Sequence, residues 1–224
     1  MKKRILYIVT LFFTLLFLFV TQKPLFMLYN DAVGKDAVWG DFFQVMLHGA
    51  SLDATTAGYL TVLPLLLVII SIWLKKISLR KYLIPYYIIA TLLVTITFVV
   101  DMGLYPFWGF KLDASVFLYL DSPEEAMASV SVGFVAVRVL AMVLLAAVYA
   151  WILAKITPKK LETVKKKVLG TFVMLLLTGV LFVIIRGGVT ESTSNVGQAY
   201  FSNNQFLNHS AVNPCFSLLS SMGK

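Results

Sequence analysis

Four charged residues lie within or beside long apolar segments, where charges are uncommon: Asp53, Asp101, Arg138 and Arg186. A charged side chain inside a membrane costs at least ~2.5–3.5 kcal/mol, so such residues usually face protein, water or a ligand. An arginine can also hold a phosphate group through two parallel hydrogen bonds. These four residues are therefore the candidate contacts for a lipid or another substrate.

Arg138 is the one charge in the middle of an apolar segment, residues 126–154. If the lipid core begins near residue 129, a rise of ~1.5 Å per residue places Arg138 ~13 Å deep in a core of ~30 Å. Asp101 and Asp53 are its candidate partners, so Arg138 either forms a structural ion pair between helices or contacts a ligand. The two aspartates are equally compatible with positions at the membrane interface, in contact with water.

Arg186 ends the last apolar segment and is followed by Gly187 and Gly188. Two interpretations are open. Arg186 anchors the helix at the interface while the glycines end the helix, or it binds a lipid phosphate at the mouth of a helical bundle. From the sequence alone, the anchor is the simpler interpretation.

The sequence contains no recognisable catalytic or metal-binding constellation. It has no Gly-rich phosphate loop, no HExxH motif and no nucleophile elbow. The two histidines, His48 and His209, are far apart and have no cysteine or acidic residue beside them. The single cysteine, Cys215, excludes an intramolecular disulfide. We expect no catalytic residue, no metal site and no cofactor in this chain.

The composition is typical of a membrane protein. Of 224 residues, 59% are hydrophobic and 13% are charged, against about 45–50% and about 25% in soluble domains. The apolar residues are concentrated in five segments, each long enough for a membrane-spanning helix of roughly 20 residues. These segments are residues 5–22, 54–74, 82–100, 126–154 and 168–185. The predicted fold class is all-α, a polytopic membrane protein with five transmembrane helices, which excludes soluble enzymes and secreted disulfide-rich proteins.

The first apolar segment follows a basic start, as in a signal peptide. The residues after it, 21–24, lack the small-x-small pattern of a cleavage site. We therefore predict an uncleaved helix that extends to residue 28 or 29. The side chain of Lys23 is expected to reach the membrane interface.

The charges of the loops predict the orientation. Segments 1–4, 75–81 and 155–167 contain 13 of the 19 basic residues and a single acidic residue, Glu162. Because short cytoplasmic loops are enriched in lysine and arginine, the N-terminus is predicted to be cytoplasmic and the C-terminus extracytoplasmic. The net charge of +8 is then explained by basic residues that flank the spans and set their orientation. No nucleic-acid partner is expected.

The segments predicted to lie outside are long and rich in apolar residues. Within residues 36–50, apolar side chains recur at helical spacing: Trp39, Phe43, Met46 and Ala50. This pattern predicts an amphipathic helix at the outer membrane surface.

Residues 121–125 have the pattern of a helix start, with a capping residue, a proline and two acidic residues. The fourth helix is therefore predicted to begin near Pro123. In residues 186–224, the apolar side chains indicate a tail that packs on the rest of the protein. They are Phe201, Phe206, Leu207, Phe216 and Leu218.

Several short motifs follow the last apolar segment. They are Arg186-Gly187-Gly188, Gln198-Ala199-Tyr200-Phe201-Ser202, Phe206-Leu207-Asn208, Ala211-Val212-Asn213-Pro214 and Phe216-Ser217-Leu218-Leu219. Earlier motifs are LDATTAGY at residues 52–59 with Leu63-Pro64, and Asp101 with Tyr105 and FWGF at residues 107–110. Together with the five-span layout, these motifs resemble the membrane part of lipoteichoic-acid-synthase-like proteins of the sulfatase/alkaline-phosphatase superfamily.

The resemblance implies a large extracytoplasmic α/β domain after the membrane part. In that family, a threonine nucleophile and a divalent metal, usually manganese, transfer a phosphoglycerol or related head group from a lipid to an acceptor. No residue of this chain matches that nucleophile or metal site. The sequence ends at Lys224, about where such a domain would begin, so we expect either a fragment or a natural membrane-only relative. Residues 1–185 would be the transmembrane domain, and 186–224 a linker toward the absent catalytic domain.

The implied function is a membrane-anchoring, lipid-contacting domain of a phosphoglycerol/phosphoethanolamine-type transferase that acts on the cell envelope. Its location would be the bacterial cytoplasmic (inner) membrane, and its partners membrane phospholipid and the catalytic domain. Residues 36–53, residues 101–113 and Arg186 would form a mouth for lipid head groups. Two alternatives are a small transporter or channel subunit with Arg138 in the pathway, and a purely structural membrane protein. The sequence shows none of the paired inverted repeats typical of many transporters.

Overall fold

The structure, a computed structural model, describes residues 1–31, 34, 37–74, 77–120 and 131–223. Within these residues all regular structure is helical. The long helices are α1 (Lys2–Tyr29), α2 (Trp39–Trp73), α3 (Leu79–Trp108), α4 (Val132–Ile156) and α5 (Lys167–Arg186). Two short helices follow, α6 (Gln205–Ala211) and α7 (Pro214–Ser221), and short 3-10 helices cover Ala114–Leu120 and Val196–Ala199. Helices α1–α5 are long and apolar enough to cross a membrane, which confirms the all-α polytopic fold.

The fourth helix begins at Val132, where the hydroxyl of Ser131 accepts a hydrogen bond from the backbone N–H of Phe134 at 3.2 Å. The start predicted near Pro123 lies outside the described residues. The amphipathic helix predicted within residues 36–50 is helical from Trp39, but it forms the first three turns of α2 and is not a separate element.

Helix α2 is therefore much longer than the apolar segment that predicted it. Its 35 residues span ~52 Å, whereas the 20 residues of α5 span ~30 Å. The hydroxyl of Thr55 donates to the carbonyl of Ile184 near the end of α5, at 3.4 Å. The part of α2 before Thr55 thus extends ~24 Å beyond α5.

The five long helices enclose one apolar core. Helix α2 packs between α1 and α5, α3 packs against α4, and α1 also contacts α4. The side chains that fill the centre come from all five helices and include Leu11, Leu65, Leu83, Leu153 and Met174. We call this cluster the bundle core.

A second apolar core lies where α6 and α7 pack on the bundle. It consists of Phe26, Met27, Val45, Leu52, Phe98, Val99, Tyr105, Ala199, Phe206, Leu207, Ala211, Val212 and Phe216. We call it the tail core, and the end of the bundle that holds it the tail side. The prediction that the C-terminal segment packs on the rest of the protein is confirmed for Phe206, Leu207 and Phe216.

The opposite side brings together the segments with excess basic charge. The guanidinium of Arg4 donates to the carbonyls of Glu162 (2.8 Å) and Ser71 (3.2 Å). The guanidinium of Arg80 donates to the carbonyl of Thr157 at 3.1 Å. The N-terminus, the α2–α3 connection and the α4–α5 connection thus share one end, as the loop charges predict. Their cytoplasmic location remains a prediction.

Candidate functional site

Charged residues from α1, α2, α3 and α5 lie at a similar height on the tail side. Along each helix, Lys23, Asp53, Asp101 and Arg186 lie ~19–22 positions from the opposite end, which corresponds to ~28–33 Å. This distance is close to the ~30 Å thickness of a bilayer's hydrocarbon core. These four residues therefore mark the boundary between the bundle core and the tail core, and we call them the charged layer.

Asp53 is fully buried and has two polar partners. The ammonium group of Lys23 donates to Oδ2 at 2.5 Å, and the side-chain amide of Asn213 donates to Oδ1 at 2.9 Å. Since Lys23 is only 4% exposed, the prediction that its side chain reaches the membrane interface is wrong. Inside the bundle, the ammonium group is a counter-charge for buried Asp53, and a buried charge without a counter-charge is strongly destabilising.

Gly49 is needed for this arrangement. A Cβ atom at this position would overlap Cε of Lys23 and the carbonyl oxygen of Ala211. Any larger residue would push the lysine away from Asp53 or lift the end of α6 from α2. The absence of a side chain at Gly49 therefore allows both the ion pair and the close approach of the tail.

Asp101 forms a second buried ion pair, with Lys111. The lysine donates to Oδ2, and the backbone N–H of Leu112 donates to Oδ1 at 2.9 Å. The ammonium of Lys111 also lies 3.9 Å from the centre of the Phe26 ring, a favourable cation–π position. Burial lowers the pKa of Lys111, and the charge of Asp101 opposes this shift.

These pairs change the interpretation of the two aspartates. Asp53 and Asp101 are not partners of Arg138, because each is saturated by a lysine and backbone or amide donors. They are also not interfacial residues in contact with water, because both are buried. A head group cannot reach either carboxylate directly while the tail is docked.

Asn213 links the charged layer to the tail. While its amide nitrogen donates to Asp53, its side-chain oxygen accepts the backbone N–H groups of Cys215 (2.9 Å) and Phe216 (3.1 Å). Asn213 is thus the N-cap of α7, and Pro214 occupies the first helical position. One side chain both starts a helix and fixes that helix to α2.

Two further tail residues are buried over the charged layer. Nδ1 of His209 and the hydroxyl of Tyr105 share a hydrogen bond of 3.0 Å. Burial lowers the pKa of His209, and the positive charge of Lys111 lowers it further. Burial raises the pKa of the Cys215 thiol to about 12. Both side chains are therefore kept neutral at pH 7.

Arg138 lies near the tail-side end of α4, in its second turn, and not in the middle of the bundle. Its guanidinium donates to the carbonyl of Phe134 at 3.0 Å and to the hydroxyl of Tyr29. It packs over Gly103, where a Cβ atom would lie 2.9 Å from Nε. Within the described ranges, no carboxylate lies within 4.0 Å of Arg138, and its buried Nε has no hydrogen-bond partner.

Arg186 binds the loop that follows α5. Its guanidinium donates to the carbonyls of Gly188 (3.2 Å) and Thr190 (2.6 Å). Gly187 and Gly188 have φ angles of +89° and +119°, and the N–H of Gly188 donates to the carbonyl of Val183 at 2.9 Å. The two glycines end the helix as predicted, since this geometry is uncommon for residues with a Cβ atom.

The sequence did not predict Lys23, Lys111 or Asn213 as parts of the site. Asn213 had a recognisable signal, because asparagine before proline is typical of a helix N-cap. In the part of the chain that the structure describes, no three His, Cys, Asp or Glu side chains cluster as metal ligands. Among the described residues, the hydrogen bonds of Asn213 with Asp53 and of His209 with Tyr105 join the tail to α2 and α3.

Comparison with models of known protein families, with curated proteins and with solved structures gives no match for this chain.

Proposed function

We propose that this chain is the membrane domain of a sulfatase-superfamily phosphoglycerol/phosphoethanolamine-type transferase, and that it anchors and orients the catalytic domain outside the cytoplasmic membrane. The observation that supports this proposal is the burial of the tail. All twelve residues from 206 to 217 are buried. A chain that leaves the membrane through this segment leaves it at a fixed height and in a fixed direction.

The physical reason is geometric. A transferase that acts on lipid head groups must hold its reacting groups within a few tenths of an ångström of the correct position. A flexible linker of the same length would let the domain wander by tens of ångströms. In this chain, the hydrogen bond that the side-chain amide of Asn213 donates to Asp53, at 2.9 Å, fixes the tail to the bundle instead.

The lipid-contacting role belongs in this proposal to Arg138 and Arg186. Both lie on the tail side, both are only partly buried, and in the described ranges neither pairs with a carboxylate. Lipid phosphate is the anion available at that height in a membrane. Asp53 and Asp101 act indirectly in this proposal. Asp53 accepts a hydrogen bond from Asn213 of the tail, and Asp101 fixes the segment after α3 through Lys111 and the N–H of Leu112.

Native mass spectrometry of the chain in mild detergent tests the lipid role. We expect a co-purifying phospholipid that is reduced in Arg138→Ala and Arg186→Ala. Arg80→Ala is the matched control, because Arg80 also donates to backbone carbonyls but at the opposite side. Equal lipid retention in all three variants would contradict lipid contact on the tail side.

The anchoring role has a separate test. We expect the reading frame in the source genome to continue past the codon for Lys224 into a domain that binds a divalent metal, usually manganese in the family it resembles. Membranes containing that complete protein should transfer a head group from fluorescent phosphatidylglycerol or phosphatidylethanolamine, and chelation of divalent metal should abolish the transfer. A reading frame that does not encode such a domain would contradict the anchoring role and would favour a purely structural membrane protein.

A further inference from the structure

A small cavity lies between the two buried ion pairs. The side chains of Gln22, Lys23, Lys111 and Ser210 line it, together with apolar side chains that include Phe26. Its volume of about 10 Å³ is about the space that one water molecule requires.

Gln22 provides independent evidence for a ligand. Its side chain is 2% exposed, and neither the amide nitrogen nor the amide oxygen has a hydrogen-bond partner among the described residues. The hydroxyl of Tyr149 is near Gln22, but the two do not reach hydrogen-bonding geometry. Burying a polar group without a partner is costly, so a glutamine is expected here only if something in the cavity binds it.

The charges around the cavity determine what that ligand is. Lys23 and Lys111 are each compensated by one aspartate, so the four charges sum to zero and do not favour an anion or a cation. Each ammonium group has three N–H donors and uses one on its aspartate. Gln22 offers both a donor and an acceptor. This set suits a neutral molecule that both accepts and donates hydrogen bonds.

We propose that one water molecule binds in this cavity and links Gln22 to Lys23 and Lys111. A buried water typically makes two to four hydrogen bonds to groups that otherwise lack partners. The two ion pairs then form one network across α1, α2, α3 and the tail. Ser210 of α6 lines the same cavity, so the water also lies directly beneath the docked tail.

The first test is whether the Tm of the protein falls or rises when Gln22 is replaced by an apolar residue. Gln22→Leu replaces the amide by an apolar group of similar size. If a water binds Gln22, the variant loses hydrogen bonds and its Tm falls by about 2–4 °C for each kcal/mol lost. If nothing binds there, the variant removes two buried polar atoms without partners, and its Tm rises, which would overturn the proposal.

Thr61→Val is the matched control. Thr61 is fully buried, and its hydroxyl donates only to the carbonyl of Ala57 in its own helix, at 2.7 Å. Its Tm change measures the general effect of replacing a buried polar group. A fall for Gln22→Leu that does not exceed the fall for Thr61→Val would also overturn the proposal.

Radiolytic footprinting in ¹⁸O-labelled water gives a direct measurement on the intact protein. Hydroxyl radicals formed from a bound water should modify Phe26, which lines the cavity, but not Tyr7, which is buried in the bundle core. This modification should be lost in Gln22→Leu. The water would be excluded if Phe26 were as unreactive as Tyr7 in the wild type, or if Phe26 were modified equally in the wild type and in Gln22→Leu.

Discussion

The ion pair Lys3–Glu162, at the opposite side of the bundle, is largely exposed, with side chains 65% and 69% accessible. On the tail side, the pair Lys23–Asp53 is 4% and 0% accessible, although both pairs join distant parts of the chain. An exposed pair contributes little, because water and salt screen it. A buried pair has large opposing energies, and removing one partner leaves an uncompensated charge.

The comparison shows two uses of charge in one membrane protein. On the opposite side, basic residues are numerous and mostly solvent-exposed, and their number is what the topology rule counts. On the tail side, each of the two buried ion pairs of the described residues joins one lysine to one aspartate, and Asp53 also bonds the tail through Asn213. The effect of a substitution should therefore depend on the end of the bundle rather than on the type of charge.

Asp53→Ala is the most severe test of this contrast. It leaves Lys23 buried without a counter-charge and removes the acceptor of Asn213, so we expect a loss of about 3–5 kcal/mol. The native Cys215, a buried residue of α7 in the tail, reports the result. Its alkylation by a maleimide should be very slow in the wild type and fast in Asp53→Ala, because an undocked thiol regains an ordinary pKa.

Asp53→Asn is the control for Asp53→Ala, because it keeps an acceptor for Asn213 but not the negative charge. We expect an intermediate alkylation rate. If Cys215 stays protected in both variants, the ion pair does not hold the tail, and the contrast between the two ends would fail.

Asn213→Ala should have the next largest effect. It removes the N-cap of α7, worth about 0.5–2 kcal/mol, and the hydrogen bond to Asp53. The Lys23–Asp53 pair remains, so the bundle should stay folded while the tail opens more often. We expect faster Cys215 alkylation with little change in helix content by circular dichroism.

Asn204→Ala is a matched variant, because Asn204 also caps a short tail helix, accepting the backbone N–H of Phe206 at 2.9 Å, without a described bond to the charged layer. Faster alkylation in Asn204→Ala than in Asn213→Ala would show that capping alone, rather than the link to Asp53, holds the tail.

The spans were predictable because an apolar run of about 20 residues has few structural solutions in a membrane. The position of the N-terminus and the two basic connections at one end of the bundle was predictable, because it follows from the number of lysines and arginines in each segment. The ion pairs were not, because several cations are available to Asp53 and Asp101. The choice depends on how each helix is rotated about its axis and on Gly49, which makes room for Lys23. The depth of Arg138 in a membrane stays a prediction; along α4, which begins at Val132, it lies in the second turn.

Acidification should weaken tail docking by a smaller amount. Because burial and Lys111 lower the pKa of His209, the unfolded state, with a pKa near 6.5, binds a proton more readily than the folded state. The stability contribution of neutral His209 is therefore complete above about pH 6.5 and is lost as the pH falls through the lower pKa of the folded state. Cys215 alkylation, divided by the rate of the unfolded protein at each pH, should rise in that range.

His209→Gln is the control for the effect of pH, because glutamine keeps a hydrogen-bonding group near Tyr105 but does not titrate. Every other titrating group is the same in both proteins, so the effects of those groups cancel in the comparison. An identical pH profile for wild type and His209→Gln would assign the change to another titrating group.

Glu162→Gln should have the smallest effect and completes the comparison. It removes the charge from the Lys3–Glu162 pair but keeps the backbone carbonyl of Glu162, which Arg4 binds at 2.8 Å. Lys3 lowers the pKa of Glu162, yet both side chains are in water, where the lost attraction is replaced by hydration. We expect unchanged Cys215 alkylation and an unchanged Tm at 0.15 M and 1 M salt. A clear fall in Tm at low salt alone would mean that the exposed pair also stabilises the fold, and the two ends would then differ in degree rather than in kind.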